Sequence, residues 1–116
     1  MRVESQIRDG VCVLRLKGRF VTGSDAELVS AQNSLEEAGI ANAIVDLRAV
    51  PYIDSTGLAF VVELHKALTS RGGQLFLADA NQRVREVLEM TRIGEIIPLF
   101  DDVEAAEAAL RSEVLC

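Results

Sequence analysis

The sequence predicts an α/β domain on a mixed, mostly parallel sheet, with an opening β-hairpin and about four helices. Three observations support this. Two alternating runs, Val3–Ile7 and Val11–Lys17, flank Asp9-Gly10, the signature of a two-residue hairpin. Short apolar runs then alternate with longer segments of helical period, the pattern of parallel crossovers. Apolar residues make up 49% of the 116 residues, enough for one real core, so a single domain over residues 1–116 is expected.

Each element has its own signal. Gly18 ends the second strand, and Ser24-Asp25-Ala26-Glu27 reads as a capping box. The helix it starts carries Leu28 and Leu35 and ends at Gly39. Ala43–Leu47 follows as a short apolar strand. A helix over Thr56–Ser70 stops at Arg71-Gly72-Gly73, and Gln74–Ala78 is the next strand. Asn81 caps a helix running to Met90. Ile96–Leu99 is the expected last strand, and Asp101-Asp102-Val103-Glu104 caps an Ala-rich final helix. The order is β-β-α-β-α-β-α-β-α, which by itself names no function.

Composition excludes several functional classes. A net charge of −6 and a pI near 4.7 oppose direct nucleic-acid binding, which needs clustered Lys and Arg. Four Phe, one Tyr and no Trp leave little to stack on bases. No run approaches the roughly 20 apolar residues that cross a bilayer, so no membrane insertion is expected. Met1-Arg2-Val3-Glu4 lacks the apolar core of a signal peptide. Cys12 alternates with Leu14 and Leu16 as a core residue would, and Cys116 is terminal. No disulfide framework is expected, which suits a reducing cytoplasm. The expectation is an acidic, cytoplasmic monomer with a protein partner.

Catalysis finds no support either. One His and two distant Cys cannot supply zinc-like spacing, and no Gly-x-Gly-x-x-Gly or Walker-type loop occurs, so no cofactor is expected. In Asp54-Ser55-Thr56-Gly57 the Thr intervenes where an aspartic-protease triplet needs Gly. Ser55 and His65 fall on one predicted helix at a separation of about 15 Å by helical rise, too far for proton transfer. A two-component receiver would begin β-α rather than with a hairpin. No enzyme is expected.

The informative stretch is Asp46 to Leu64: a strand, a turn at Pro51, then Asp54-Ser55-Thr56-Gly57 opening an amphipathic helix. A helix start offers unpaired N–H groups and a positive dipole end, which favour an anion. On a wheel of about 100° per residue, Phe60, Val61, Leu64, Ala67 and Leu68 form the core face. Ser55, Ala59, Val62 and Lys66 line up on a face expected to be largely exposed, a small ridge that suits docking. The plainer reading makes Ser55 an ordinary N-cap worth about 1 kcal/mol, Asp54 a dipole complement or turn residue, and the ridge scattered surface apolarity.

Asp54-Ser55-Thr56-Gly57-Leu58 follows Asp46-Leu47-Arg48-Ala49-Val50-Pro51-Tyr52-Ile53 and precedes Arg71-Gly72-Gly73-Gln74-Leu75. In that setting it closely resembles the STAS family, specifically its anti-sigma-factor antagonists. The resemblance extends over essentially the whole chain, including Met90-Thr91-Arg92-Ile93-Gly94 and the acidic last helix. It implies that an anti-sigma factor, itself a serine kinase, phosphorylates the first hydroxyl of the signature, here Ser55, with Thr56 the second choice. It further implies that the unmodified antagonist captures that partner, that phosphorylation ends the capture, and that a metal-dependent serine phosphatase resets it. The expected partner surface joins these signature residues, Asp54, Ser55, Thr56 and Gly57, to the ridge read from helical spacing, Ala59, Val62 and Lys66, with Arg19 and Val21 beside them.

One departure matters. Where the family commonly has Gly, an acidic residue, an aliphatic residue and Asp, this chain has Gly18-Arg19-Phe20-Val21. Arg19 is read as a solvated strand-end arginine, with a contact to phosphoserine as the alternative. Asp25 or Ser24 could replace the missing polar contact. The rival expectation is a non-switching STAS module, either a transporter-associated subunit or a scaffold, that docks independently of phosphorylation.

Overall fold

In the computed structural model, which describes residues 2–18 and 25–115, Asp9 and Gly10 take φ of 55° and 79°. That is the type I′ turn, whose twist suits a tight hairpin. It joins β1 (Arg2–Arg8) and β2 (Val11–Lys17) in unbroken antiparallel register from Arg8↔Val11 to Arg2↔Lys17. Then come α1 (Asp25–Glu37), β3 (Asn42–Ala49), α2 (Ser55–Ser70), β4 (Gln74–Ala78), α3 (Gln82–Met90), β5 (Leu99–Phe100) and α4 (Val103–Leu115). The capping residue expected at Ser24 lies outside the described residues.

The sheet order is the chain order, β1-β2-β3-β4-β5, and every pair after the hairpin is parallel. Right-handed crossovers that always step the same way put their helices on one face. Accordingly Leu28 and Leu35 of α1, Val61, Leu64 and Leu68 of α2, and Val84 and Leu88 of α3 share one core with Leu14, Leu16, Val45, Leu47, Leu75 and Leu77. The last helix is no crossover and covers the other face, where Ala106 and Leu110 meet Val13, Ile44, Phe76 and Ala78. The middle strands are thus buried on both sides, which explains their continuous apolar runs. Cys12 is a core residue as expected, and burial pushes its thiol pKa up.

The ends of the elements follow local chemistry. At the end of α2, Gly73 N–H donates to Leu68 C=O at 2.9 Å and Gly72 N–H to Thr69 C=O at 3.0 Å. This is the Schellman pattern, and Gly72, at φ 80°, takes its left-handed position. A Cβ on Gly73 would sit 1.6 Å from the Ala41 carbonyl oxygen, at the point where β3 and β4 begin. Asn81 caps α3 as expected, its Oδ1 accepting from Val84 N–H at 2.8 Å.

Two expectations need correction. The last strand is not Ile96–Leu99 but Leu99–Phe100. Ile93–Glu95 winds into a 3-10 turn that holds Ile97 N–H on Ile93 C=O at 2.8 Å, and Pro98 has no N–H to give a ladder. The helix expected from Thr56 starts one residue earlier, at Ser55.

One irregularity sets the path of the chain beyond β3. Arg15 pairs Asp46 but Lys17 pairs Ala49, so β3 holds an extra residue there, a bulge that bends the strand. Asp46, at 8% exposure, fills it: its Oδ1 accepts from Arg48 N–H at 3.0 Å and its Oδ2 lies 3.6 Å from Arg15 Nε. The strand then turns through Val50 N–H to Leu47 C=O at 3.0 Å and points towards Pro51.

Asp46→Ala leaves the Arg48 N–H without its acceptor, so urea unfolding should show a loss of about 1–3 kcal/mol; unchanged stability would deny the carboxylate that role. Gly73→Ala forces β3 and β4 apart, and a loss of about 3 kcal/mol is expected by the same measurement. A wild-type midpoint for Gly73→Ala would contradict the close approach.

Candidate functional site

All the parallel strands deliver their chains to one edge of the sheet, the usual place for a site in an open α/β fold. There Gly18 N–H bonds Ala49 C=O at 3.1 Å, which holds the end of β2 beside the exit of β3. Between β3 and α2 the loop is tied down from α3: Asn81 Nδ2 donates to Val50 C=O at 3.2 Å and to Pro51 C=O at 3.3 Å. Tyr52 is held under Arg83, whose guanidinium carbon lies 5.7 Å from the ring centroid. Ile53 is buried in the core. The loop therefore reaches α2 with little freedom.

Asp54 caps α2. With extended φ and ψ of −111° and −170°, it turns Oδ1 onto the N–H groups of Thr56 at 2.9 Å and Gly57 at 3.2 Å. Its own carbonyl starts the helix by accepting from Leu58 N–H at 3.0 Å. The plainer sequence reading, with Ser55 as the cap, is thereby replaced: Ser55 is the first residue of the helix, and its side chain is exposed. The physical reason is position, because a cap must stand outside the helix with its acceptor facing back along the axis. The idea of a helix start with unclaimed donors changes too. Two N–H groups already hold a carboxylate.

Along α2 the expected ridge is mostly present. Ser55, Ala59 and Lys66 are exposed, and Lys66 Nζ pairs with Glu63 Oε1 at 3.7 Å on the solvent side, a contact worth little energy. Val62 departs from the expectation: it is half-buried and packs against the core shared with Val61 and Leu64. Thr56 is half-buried and Gly57 buried, so of the two adjacent hydroxyl residues Ser55 has the more accessible side chain. Arg19 and Val21 lie outside the described residues. His65 sits on α2 ten residues after Ser55, half-buried, as a residue at the edge of the core.

Sequence reasoning missed Asp46 as a structural residue. Its signal was a lone charge between Val45 and Leu47 in a strand buried on both faces. It also missed the second use of Asn81, since one side chain both caps α3 and fastens the loop before Ser55. Among the described residues no group of His, Cys, Asp or Glu could hold a metal ion, and no helix is long and apolar enough to cross a membrane.

Comparison with known proteins agrees with this architecture. The family model for the STAS domain matches residues 2–106. BtrV of Bordetella bronchiseptica, a candidate anti-sigma factor antagonist, is 32% identical over 105 residues, covering 90% of each chain. The crystal structure of an anti-sigma factor antagonist from Mycobacterium paratuberculosis superposes with a TM-score of 0.85 at 22% identity, covering 95% of this chain and 93% of that one. The phosphorylated form of SpoIIAA, a Bacillus cell fate determinant, gives a TM-score of 0.72 at 16% identity, over 93% of this chain and 99% of its own. The match of the family model over residues 2–106, with these likenesses in fold, shows that the chain belongs to the STAS-domain family.

Proposed function

We propose that this chain is a cytoplasmic anti-sigma factor antagonist that switches partners through Ser55. In this reading the unmodified tip of α2, with Asp54, Ser55, Thr56, Gly57, Ala59, Val62 and Lys66, docks on an anti-sigma factor that is also a serine kinase. Phosphorylation of Ser55 ends the docking, and a serine phosphatase restores it. The observation that carries the reading is an exposed serine hydroxyl at the first position of a helix whose cap is already a carboxylate.

The chemistry supports such a switch. A phosphate on Ser55 brings about −1.5 to −2 charges and several acceptor oxygens. Asp54 already occupies the Thr56 and Gly57 donors, so the new anion projects towards a partner rather than folding back onto the helix. A partner pressed against it meets two neighbouring negative groups and must desolvate both. Losing a thousandfold in affinity needs only about 4 kcal/mol. The domain itself has no need to unfold. That SpoIIAA, a fold neighbour, exists in a phosphorylated form is consistent with this.

Gly18-Arg19-Phe20-Val21 favours a second reading, a STAS scaffold or transporter-associated subunit that ignores phosphorylation, because the family's acidic residue and Asp are replaced there.

Incubation with ATP and the cognate kinase, followed by mass spectrometry, separates the two. The switch predicts one phosphate on Ser55, abolished in Ser55→Ala, and Ser55→Asp should weaken kinase binding at least about tenfold by calorimetry, roughly 1.4 kcal/mol. Tight binding that Ser55→Asp leaves intact would establish the scaffold instead. Asp54→Ala removes the cap and should cost about 1 kcal/mol in denaturant unfolding, whereas Asp54→Asn should cost less, because its amide oxygen still accepts.

A further inference from the structure

Strand β1 forms one edge of the sheet and, among the described residues, pairs with β2 alone. In a two-residue hairpin the residues flanking the turn exchange both backbone hydrogen bonds, and the pattern alternates from there. Arg8, Gln6, Glu4 and Arg2 therefore direct their N–H and C=O groups at β2. Val3, Ser5 and Ile7 direct theirs outward. Natural edges are commonly blunted by a proline, a bulge, a very short strand or charged side chains. β1 runs for seven residues in unbroken register with no proline or bulge, and its charges, Arg2, Glu4 and Arg8, sit on the residues whose backbone groups face β2.

We propose that β1 pairs antiparallel with β1 of a second copy of this chain, in the register centred on Ser5. There Val3 faces Ile7 of the second copy and Ser5 faces Ser5, so every outward N–H and C=O of Val3, Ser5 and Ile7 finds a partner. Registers centred on Glu4 or Gln6 leave Ile7 or Val3 without a β1 residue opposite. The side chains on the Val3, Ser5 and Ile7 face agree with the backbone. Ile7 is 55% exposed, beside a groove of about 470 Å³ between β1 and α1 whose lining includes Val3, Ile7, Ala31 and Leu35 together with Ser30 and Ser34. The pairing sets Ile7 against an apolar neighbour, Val3 of the second copy. On the opposite face Arg2 falls directly opposite Arg8 of the second copy, a like-charge pair that weakens the contact, while Glu4, already 3.2 Å from Lys17 of its own chain, falls diagonal to Arg8 of the second copy.

The result is a two-fold, self-complementary contact that makes one sheet continuous across both copies. Ser55 lies on α2, which packs on β4, away from this edge, so its surface stays open in the dimer. A single pair of strands is a small interface and belongs to the weak class.

Sedimentation equilibrium over a series reaching about 1 mM should show a monomer–dimer equilibrium. Ile7→Lys and Ser5→Pro should each weaken it at least about tenfold with unchanged unfolding midpoints. Proline is tolerated at Ser5 because that N–H faces out. Amide exchange of the unaltered chain gives an independent readout, with protection of Val3, Ser5 and Ile7 rising with concentration. A monomer at every concentration, as the acidic sequence leads one to expect, would overturn the proposal. So would a dimer that both folded variants leave intact, or edge amides whose exchange ignores concentration.

Discussion

The Asp54 carboxylate holds the N–H groups of Thr56 and Gly57 at 2.9 and 3.2 Å, and the presentation of Ser55 depends on that contact. A helix start without a side-chain cap leaves its donors to water or to a passing anion. Here the anion is built in. The first helical side chain is then free of capping duty and faces solvent. One bond pattern thus sets both the start of α2 and the charge environment of its first hydroxyl.

What brings Asp54 to that point is a chain of smaller constraints. The extra residue in β3 bends the strand, and Asp46 satisfies the N–H that the bend exposes. Asn81 reaches across from α3 to hold the carbonyls of Val50 and Pro51, and Ile53 anchors the loop in the core. These contacts join β3, α2 and α3 around a loop that has no regular structure of its own. Sequential strand order puts α1, α2 and α3 on one face, so the tip of α2 and the free edge of β1 are separate surfaces. A contact at one leaves the other available.

Much of this was legible in the sequence, for identifiable reasons. The hairpin followed from Asp9-Gly10 between alternating runs, and the end of α2 from Gly72-Gly73, because the left-handed backbone that such turns need suits few residues besides Gly, Asp and Asn. Asn81 was legible as a cap. The exposure of Ser55, Ala59 and Lys66 followed from helical period alone. The choice between Asp54 and Ser55 as cap did not, since both side chains can accept from a helix N–H and only the backbone path decides. Val62 looked exposed on a wheel but packs at the core margin, where a few degrees of rotation decide burial. The displaced last strand turned on Pro98, whose missing donor outweighed the β propensity of Ile96 and Ile97. The bulge at Asp46 depends on pairing between strands, which no single segment reveals.

Ser55, on the proposed switch, is a site where charge changes without rearrangement of the fold. Amide spectra of the unmodified and Ser55-phosphorylated chain test that most directly. Shifts confined to the Pro51–Ala59 segment and the residues that touch it are the predicted result. Shifts spread through β1, β5 and α4 would contradict it, because the phosphate would then act by refolding the domain and not by meeting a partner.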